Sequence, residues 1–435
     1  MKKNIKWLLA EIDLWLSEGL ISTDQAAELK RRYPAPEHGT AWGRIIFFSI
    51  GAVLFGLGVI LLFAYNWERM HKFAKLAVIF LGLLAAHGTG FRLRRKEGRF
   101  RTAGEGLHLA GTMFFGAGIW LVAQIYHINE HYPNAFLIWG FGALAMAWAL
   151  PSISHAILAA VLLVLWNGFE AFDFKNPHLL SPFIILGGLL PLAWIYRWRV
   201  LLAITIGAFM LMLAFSVATV GGDLAFLLVF LSACILIAGG ALLRRKGDFP
   251  GSGPVLSFIG YLVYLATLFV MSFFHHGKGL FTVDFENVQA AIYFFTFAAA
   301  ALGLWFWSFG SSVQRKKQAA ASFRIDDIGV LITLLAVVLN TLGVLGLKGW
   351  TGAAVFNIVF LFHSMMLIIS GCKELNVKST IVGCLLLALI SLTRYTDLFV
   401  SLLARSSVFL IMGAALFAVG LYYSRTKKQL QEKAT

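Results

Sequence analysis

Arg394 and Asp397 stand one helical turn apart in Ser391-Leu-Thr-Arg394-Tyr395-Thr-Asp397, inside an otherwise apolar run late in the chain. At that spacing the two share a helix face and can pair. A guanidinium inside an apolar segment can clamp an anionic group such as a phosphate with two parallel N–H donors. Snorkelling to the membrane interface is the plainer use. Other polar side chains gather at the ends of apolar runs. Asn66 and Trp67 follow the first run, and Gln124, Tyr126, His127 and His131 follow the third. Trp166, Asn167, Glu170 and Asp173 end the fifth. Together with Arg394, Tyr395 and Asp397, these amides, aromatics and carboxylates suit the lining of a sugar or lipid-head pocket. They are also what an interfacial rim contains.

A second pattern is Glu105 and His108, one turn apart where the third run begins. An acid at a helix N-terminus is its ordinary reading; a proton relay is the sharper one. His87, His155, Asn340, Asn357 and His363 stand isolated in apolar runs, where interhelical hydrogen bonds are the expected use. No Gly-x-x-x-x-Gly-Lys-Ser/Thr loop, Gly-x-Ser-x-Gly elbow or His-Glu-x-x-His occurs. No cofactor and no metal is expected, and no catalytic residue can be assigned.

The elements that must position these residues are hydrophobic. Of the 435 residues 59% are hydrophobic and only 13% charged, with a mean hydropathy of +0.80. A soluble protein carries about a quarter charged residues. About fourteen apolar stretches follow one another, each near the ~20 residues a spanning helix needs. They run over 42–64, 73–91, 105–126, 134–150, 152–169, 178–196, 198–219, 223–243, 254–274, 288–309, 328–347, 352–370, 377–398 and 407–423. The joints at Pro151 and between Tyr196 and Trp198 are the least marked. If the spans alternate, most of the 36 lysines and arginines fall on one side, in clusters such as Arg92–Arg101 and Arg315–Lys317. That is the positive-inside pattern. The net charge of +15 therefore points to anionic lipid head groups and not to nucleic acid.

Residues 1–41 differ. Leu8, Leu9, Ile12 and Leu16 recur at helical spacing up to Gly19, and Ser22 with Gln25 forms a capping box for a second helix. The expected fold is all-α: a polytopic membrane protein with both termini cytoplasmic and a short cytoplasmic helical hairpin over 1–41. Residues 42–435 form the bundle and its tail. The hairpin is sized to dock a protein partner, not to house a catalytic site.

Trp15-Leu-Ser-Glu-Gly-Leu-Ile-Ser22, AYNW ending at Trp67, QIYHI from Gln124 and Arg394-Tyr-Thr-Asp397 resemble bacterial membrane proteins of the domain of unknown function 2157 family. The resemblance implies a bacterial inner-membrane protein with a cytoplasmic N-terminal helical segment, no established activity and no residue roles to carry over. Three functions fit the residues. One is a transporter or lipid-linked flippase with an outward polar site. Another is a non-catalytic scaffold or sensor using the hairpin. The third is a transferase acting on polyprenyl-linked substrates, with Glu170, Asp173, Asp284 and Glu286 as candidate bases.

Overall fold

The computed structural model describes residues 2–32, 70–95, 99–127, 131–176, 178, 180–218, 222–244, 249–273, 283, 285–314, 325–347, 349–374, 376–398 and isolated positions between 410 and 421. The described residues are helical and contain no strand.

The N-terminal unit carries α1 (Lys2–Ser17) and α2 (Thr23–Arg32). Gly19 ends α1 with a φ of 71°. This is a left-handed turn that glycine adopts without penalty. The capping box is present. Ser22 N–H donates to Gln25 Oε1 at 2.9 Å, and Gln25 N–H donates back to Ser22 Oγ at 3.3 Å. Ile12 and Ala26 are buried between the two helices, and Lys30 pairs with Asp13 at 2.5 Å on the surface. With so small a buried seam, the cap matters. Ser22→Ala should cost α2 about 1 kcal/mol, seen as faster amide hydrogen exchange across α2 in the full chain. Unchanged exchange would remove the cap from the account.

The second unit holds the bundle. Its helices are α3 (Lys72–Arg94, whose start lies in the first unit), α4 (Arg99–Ile125), α5 (Pro133–Ala149), α6 (Ile153–Phe172), α7 (Ser181–Ile195) and α8 (Arg199–Ala218). Then follow α9 (Gly222–Leu243), α10 (Ser252–Met271), α11 (Val288–Gln314), α12 (Ile325–Thr341), α13 (Gly349–Lys373) and α14 (Val377–Leu398). Each expected apolar run from 73–91 to 377–398 is one of these helices. The runs at 42–64 and 407–423 lie outside the described residues or nearly so. Eight of the helices are long and apolar enough to cross a membrane, and α5, α7, α12 and α14 contribute shorter apolar stretches.

Both faint joints are real breaks. At the first, Ser152 caps α6, its Oγ accepting from His155 N–H at 3.5 Å. At the second, Arg197 takes a left-handed φ of 54°, and Trp198 N–H closes back onto Ala193 C=O at 2.9 Å. That is a helix terminus built on a residue other than glycine.

α8 and α9 are the most enclosed helices, and the core around them contains Phe230, Tyr264, Phe294, Trp305 and Phe360. Outward faces are apolar too. Leu81 and Leu84 on α3, Phe258 and Leu262 on α10, and Ile292, Phe295 and Phe306 on α11 are all exposed. Water would penalise such faces heavily, and lipid does not. This is a membrane protein with several apolar helices.

Proline interrupts α7 at Pro191, which supplies no N–H to the preceding turn. Trp148 on α5 donates Nε1–H to the carbonyl of Gly188 at 2.9 Å beside that interruption. The carbonyl that Pro191 deprives of its helical donor is that of Gly187, four residues back; the Trp148 bond falls on the next one and ties α5 to α7.

Candidate functional site

The last turns of α6 carry Trp166, Asn167 and Glu170, all buried. The spacings of three and four residues turn them to one side of the helix. Burial of a carboxylate in an apolar bundle demands donors, and two side chains reach bonding distance while a third stands close. Trp166 Nε1–H donates to Glu170 Oε1 at 3.2 Å from one turn back. His131, just before α5, brings its Nε2 to 2.5 Å from the same oxygen. His178, between α6 and α7, places its Nε2 3.4 Å from Glu170 Oε2. That last approach is not a hydrogen bond: His178 Nε2 lies 3.4 Å from the Asn176 amide nitrogen, and Glu170 Oε2 has no donor of its own.

The imidazoles are themselves held. His178 stacks on Trp166 with ring centroids 5.3 Å apart, and Phe174 sets its edge against His131 at 4.3 Å. Asn167 ties the floor. Its Nδ2 donates to Ser181 Oγ at 2.7 Å on α7 and to Ser216 Oγ at 2.9 Å on α8. Both serine hydroxyls donate onward to the carbonyl of His178, at 2.7 and 3.2 Å. Asn167 Oδ1 is buried without a partner. The site therefore joins α6, α7, α8 and the approach to α5, and it leaves two acceptors, Glu170 Oε2 and Asn167 Oδ1, open on the same stretch of helix.

At the rim, the Tyr132 hydroxyl donates to Asp173. That bond, with the nearby carboxylate charge, pushes the Tyr132 phenol above its ordinary value near 10, because both favour the neutral form. The bond's contribution to stability is intact below the ordinary value and disappears as pH rises through the elevated one. Thermal melts above pH ~10 should thus fall less steeply with pH in Tyr132→Phe than in the wild type. Parallel curves would mean that the bond contributes nothing.

Of the residues singled out from sequence, Asn167, Glu170, Trp166, His131 and Asp173 meet here. Gln124 and His127 do not join them: both are exposed at the end of α4, and among the described residues no hydrogen bond links their side chains to Glu170. His127 closes α4 with a left-handed φ of 53°, a helix-ending role. Asn66 and Trp67 lie outside the described residues. Arg394, Tyr395 and Asp397 fall in the last turns of α14, but their side chains also lie outside the described residues. His178, Ser181 and Ser216 were not anticipated. A histidine two residues after Asn176 in a short polar link was the signal available for His178.

Glu105 and His108 occupy α4 nearer its start, and the isolation expected of the histidines is corrected. His108 Nδ1 lies 3.0 Å from His87 Nδ1 on α3, and His155 stands near both. The interhelical bond expected of His363 is present, to Tyr264 at 3.1 Å. Asn357 reaches across to Ser272 C=O at 3.2 Å. Asn340 instead caps locally, accepting from Leu347 N–H at 2.7 Å, because the turn after α12 leaves that amide unpaired. His155 bonds within its own helix, to Ser152.

No curated protein and no solved structure matches this chain. Residues 13–156, from within α1 to the first turn of α6, match the family described as predicted membrane protein (DUF2157), so this segment carries the family's pattern while Glu170 and its partners lie beyond it.

Proposed function

We propose that this protein is a transporter or lipid-linked flippase of the bacterial cytoplasmic membrane, and that Glu170 is its exchangeable-proton station. The reading is carried by one observation: a carboxylate 1% exposed inside an apolar bundle, faced by two imidazoles. Intramembrane ionisable groups are costly and mark ion and substrate pathways. His131 Nε2 stands within hydrogen-bond reach of Glu170 Oε1, at 2.5 Å, so a proton has a partner to move to beside the carboxylate. The open acceptors on Glu170 and Asn167 offer a substrate or water donors to bind. The basic residues at one end of the helices, Arg92, Arg94, Arg95, Arg244 and Lys373, support that end facing the cytoplasm.

A test needs no known substrate. Protein reconstituted in vesicles and adsorbed to a solid-supported membrane is given a step in pH, and the displaced charge is recorded. Wild type should give a transient current. Glu170→Gln should reduce it at least tenfold, about 1.4 kcal/mol or more in equilibrium terms. A wild-type signal equal to that of empty vesicles removes the transport reading and leaves the scaffold and transferase readings; an undiminished signal in the variant removes Glu170 as the proton station.

A further inference from the structure

A second buried polar group lies toward the basic end, where α3, α4 and the start of α6 meet. His87 Nδ1 and His108 Nδ1 stand 3.0 Å apart, at hydrogen-bond distance. His155, with no exposed surface, pairs its Nδ1 with Ser152 Oγ at 3.0 Å. Arg94, in the last turn of α3, donates Nη2–H to the carbonyl of Leu150, two residues before Ser152. Arg94 and His155 are thereby fastened to the same short turn. The backbones are close as well: a Cβ on Gly104 of α4 would stand 2.7 Å from Arg94 N.

Three shielded nitrogens in this group lack a well-aligned partner: Arg94 Nη1, His108 Nε2 and His155 Nε2, the His155 ring also facing the His108 backbone. Arg94 Nη1 is always a donor. The two imidazoles become donors in the tautomers their partners allow. If His87 donates to His108 Nδ1, the His108 proton sits on Nε2. If the Ser152 hydroxyl donates to His155 Nδ1, the same follows there. No carboxylate among the described residues forms an ion pair with Arg94. Glu105, the nearest acid on α4, is half-exposed and acts on the histidines only at a distance. Water could satisfy the hydrogen bonds but not the charge. An oxyanion does both.

We propose that Arg94, His108 and His155 form a binding site for a phosphate-type oxyanion, with His87 and Ser152 as positioning residues that set the two tautomers. The same chemistry is offered by the phosphodiester of an anionic lipid and by free phosphate. The site is about 22 Å along α6 from Glu170, at about 1.5 Å per residue, and it does not rest on the transport reading.

The full chain in dodecyl maltoside would be titrated separately with phosphatidylglycerol and with inorganic phosphate, followed by native mass spectrometry and by 15N signals of labelled histidine. Saturable binding of either probe, with shifts at the Nε2 atoms of His108 and His155, is expected. Phosphatidylglycerol alone would identify a lipid head group as the ligand; inorganic phosphate alone would identify a free anion. Arg94→Gln should weaken binding at least tenfold, and Arg94→Lys less, since it keeps charge but loses the fork. Glu105→Gln should tighten binding by removing a like charge. If Arg94→Gln does not fold, the wild-type histidine shifts still decide. The proposal falls if neither probe moves them. It falls equally if Glu105→Gln weakens binding, because an anion repelled by Glu105 must bind more tightly once that charge is gone.

Discussion

Gly253→Leu should force α9 away from α10 and cost about 1–3 kcal/mol, the range for overpacked interiors, with the upper end expected here. The reason is that the obstacle is backbone. A Cβ on Gly253 would lie 2.7 Å from both Arg244 N and Gly240 O, and one on Gly240 would lie 2.8 Å from Gly253 O. A flexible side chain can turn aside from a new methyl group; a helical peptide unit cannot. The approach continues at Gly260, whose Cβ would meet Ala233 O at 3.0 Å. Glycines at 240, 253 and 260 thus let the main chains approach along the seam, and van der Waals contact there replaces the hydrophobic drive that lipid does not supply. The comparison is Gly207→Leu on α8, where an added Cβ meets nothing within 4 Å. It should move stability by no more than about 0.5 kcal/mol. Thermal unfolding midpoints in detergent, read by tryptophan fluorescence, would show the contrast. Equal midpoints would refute the close approach.

The second large effect concerns Glu170. Glu170→Gln keeps the length of the side chain and an acceptor for Trp166 and His131, so the fold should lose only about 1 kcal/mol. What disappears is the ionisable group, and with it the response to pH steps. Glu170→Ala removes the acceptor as well. Trp166 Nε1 is then stranded in a buried position, and the two imidazoles lose their common partner. An unmet buried donor costs about 1–3 kcal/mol, so the alanine variant should melt well below the glutamine variant. The pair of substitutions separates the structural role of the carboxyl from its protonic one. If both variants melt alike, Glu170 is not the hub that its contacts describe.

Much of the bundle was legible because lipid imposes a simple rule. Each helix must be apolar for nearly its whole length, and the runs from residue 73 to 398 obey it one for one. The two faint joints are so short that the apolar runs nearly fuse across them. Arg197 turns the chain left-handed where glycine would have announced the break, and Ser152 caps α6 immediately after a proline. The site was half legible. Asn167 and Glu170 share a helix, so their spacing alone put them together. His178, Ser181 and Ser216 reach them through folding of distant segments, and nothing local in Ser181 or Ser216 distinguishes them from other small residues in apolar runs. His87, His108 and His155 were each visible as polar intrusions. Their meeting depends on which helices are neighbours, and hydropathy does not encode that.

The interrupted helix α7 also acts on its surroundings. It has fifteen residues. At about 1.5 Å per residue it spans only about 22 Å. The hydrocarbon core of a bilayer is about 30 Å thick. Leu180, Phe183 and Ile195 remain exposed along the helix. Were α7 to cross a bilayer, the lipid beside this face would have to shorten to meet it, at an elastic cost that short or unsaturated acyl chains relieve. Enrichment of such lipids in the shell that co-purifies with the protein is the consequence to look for.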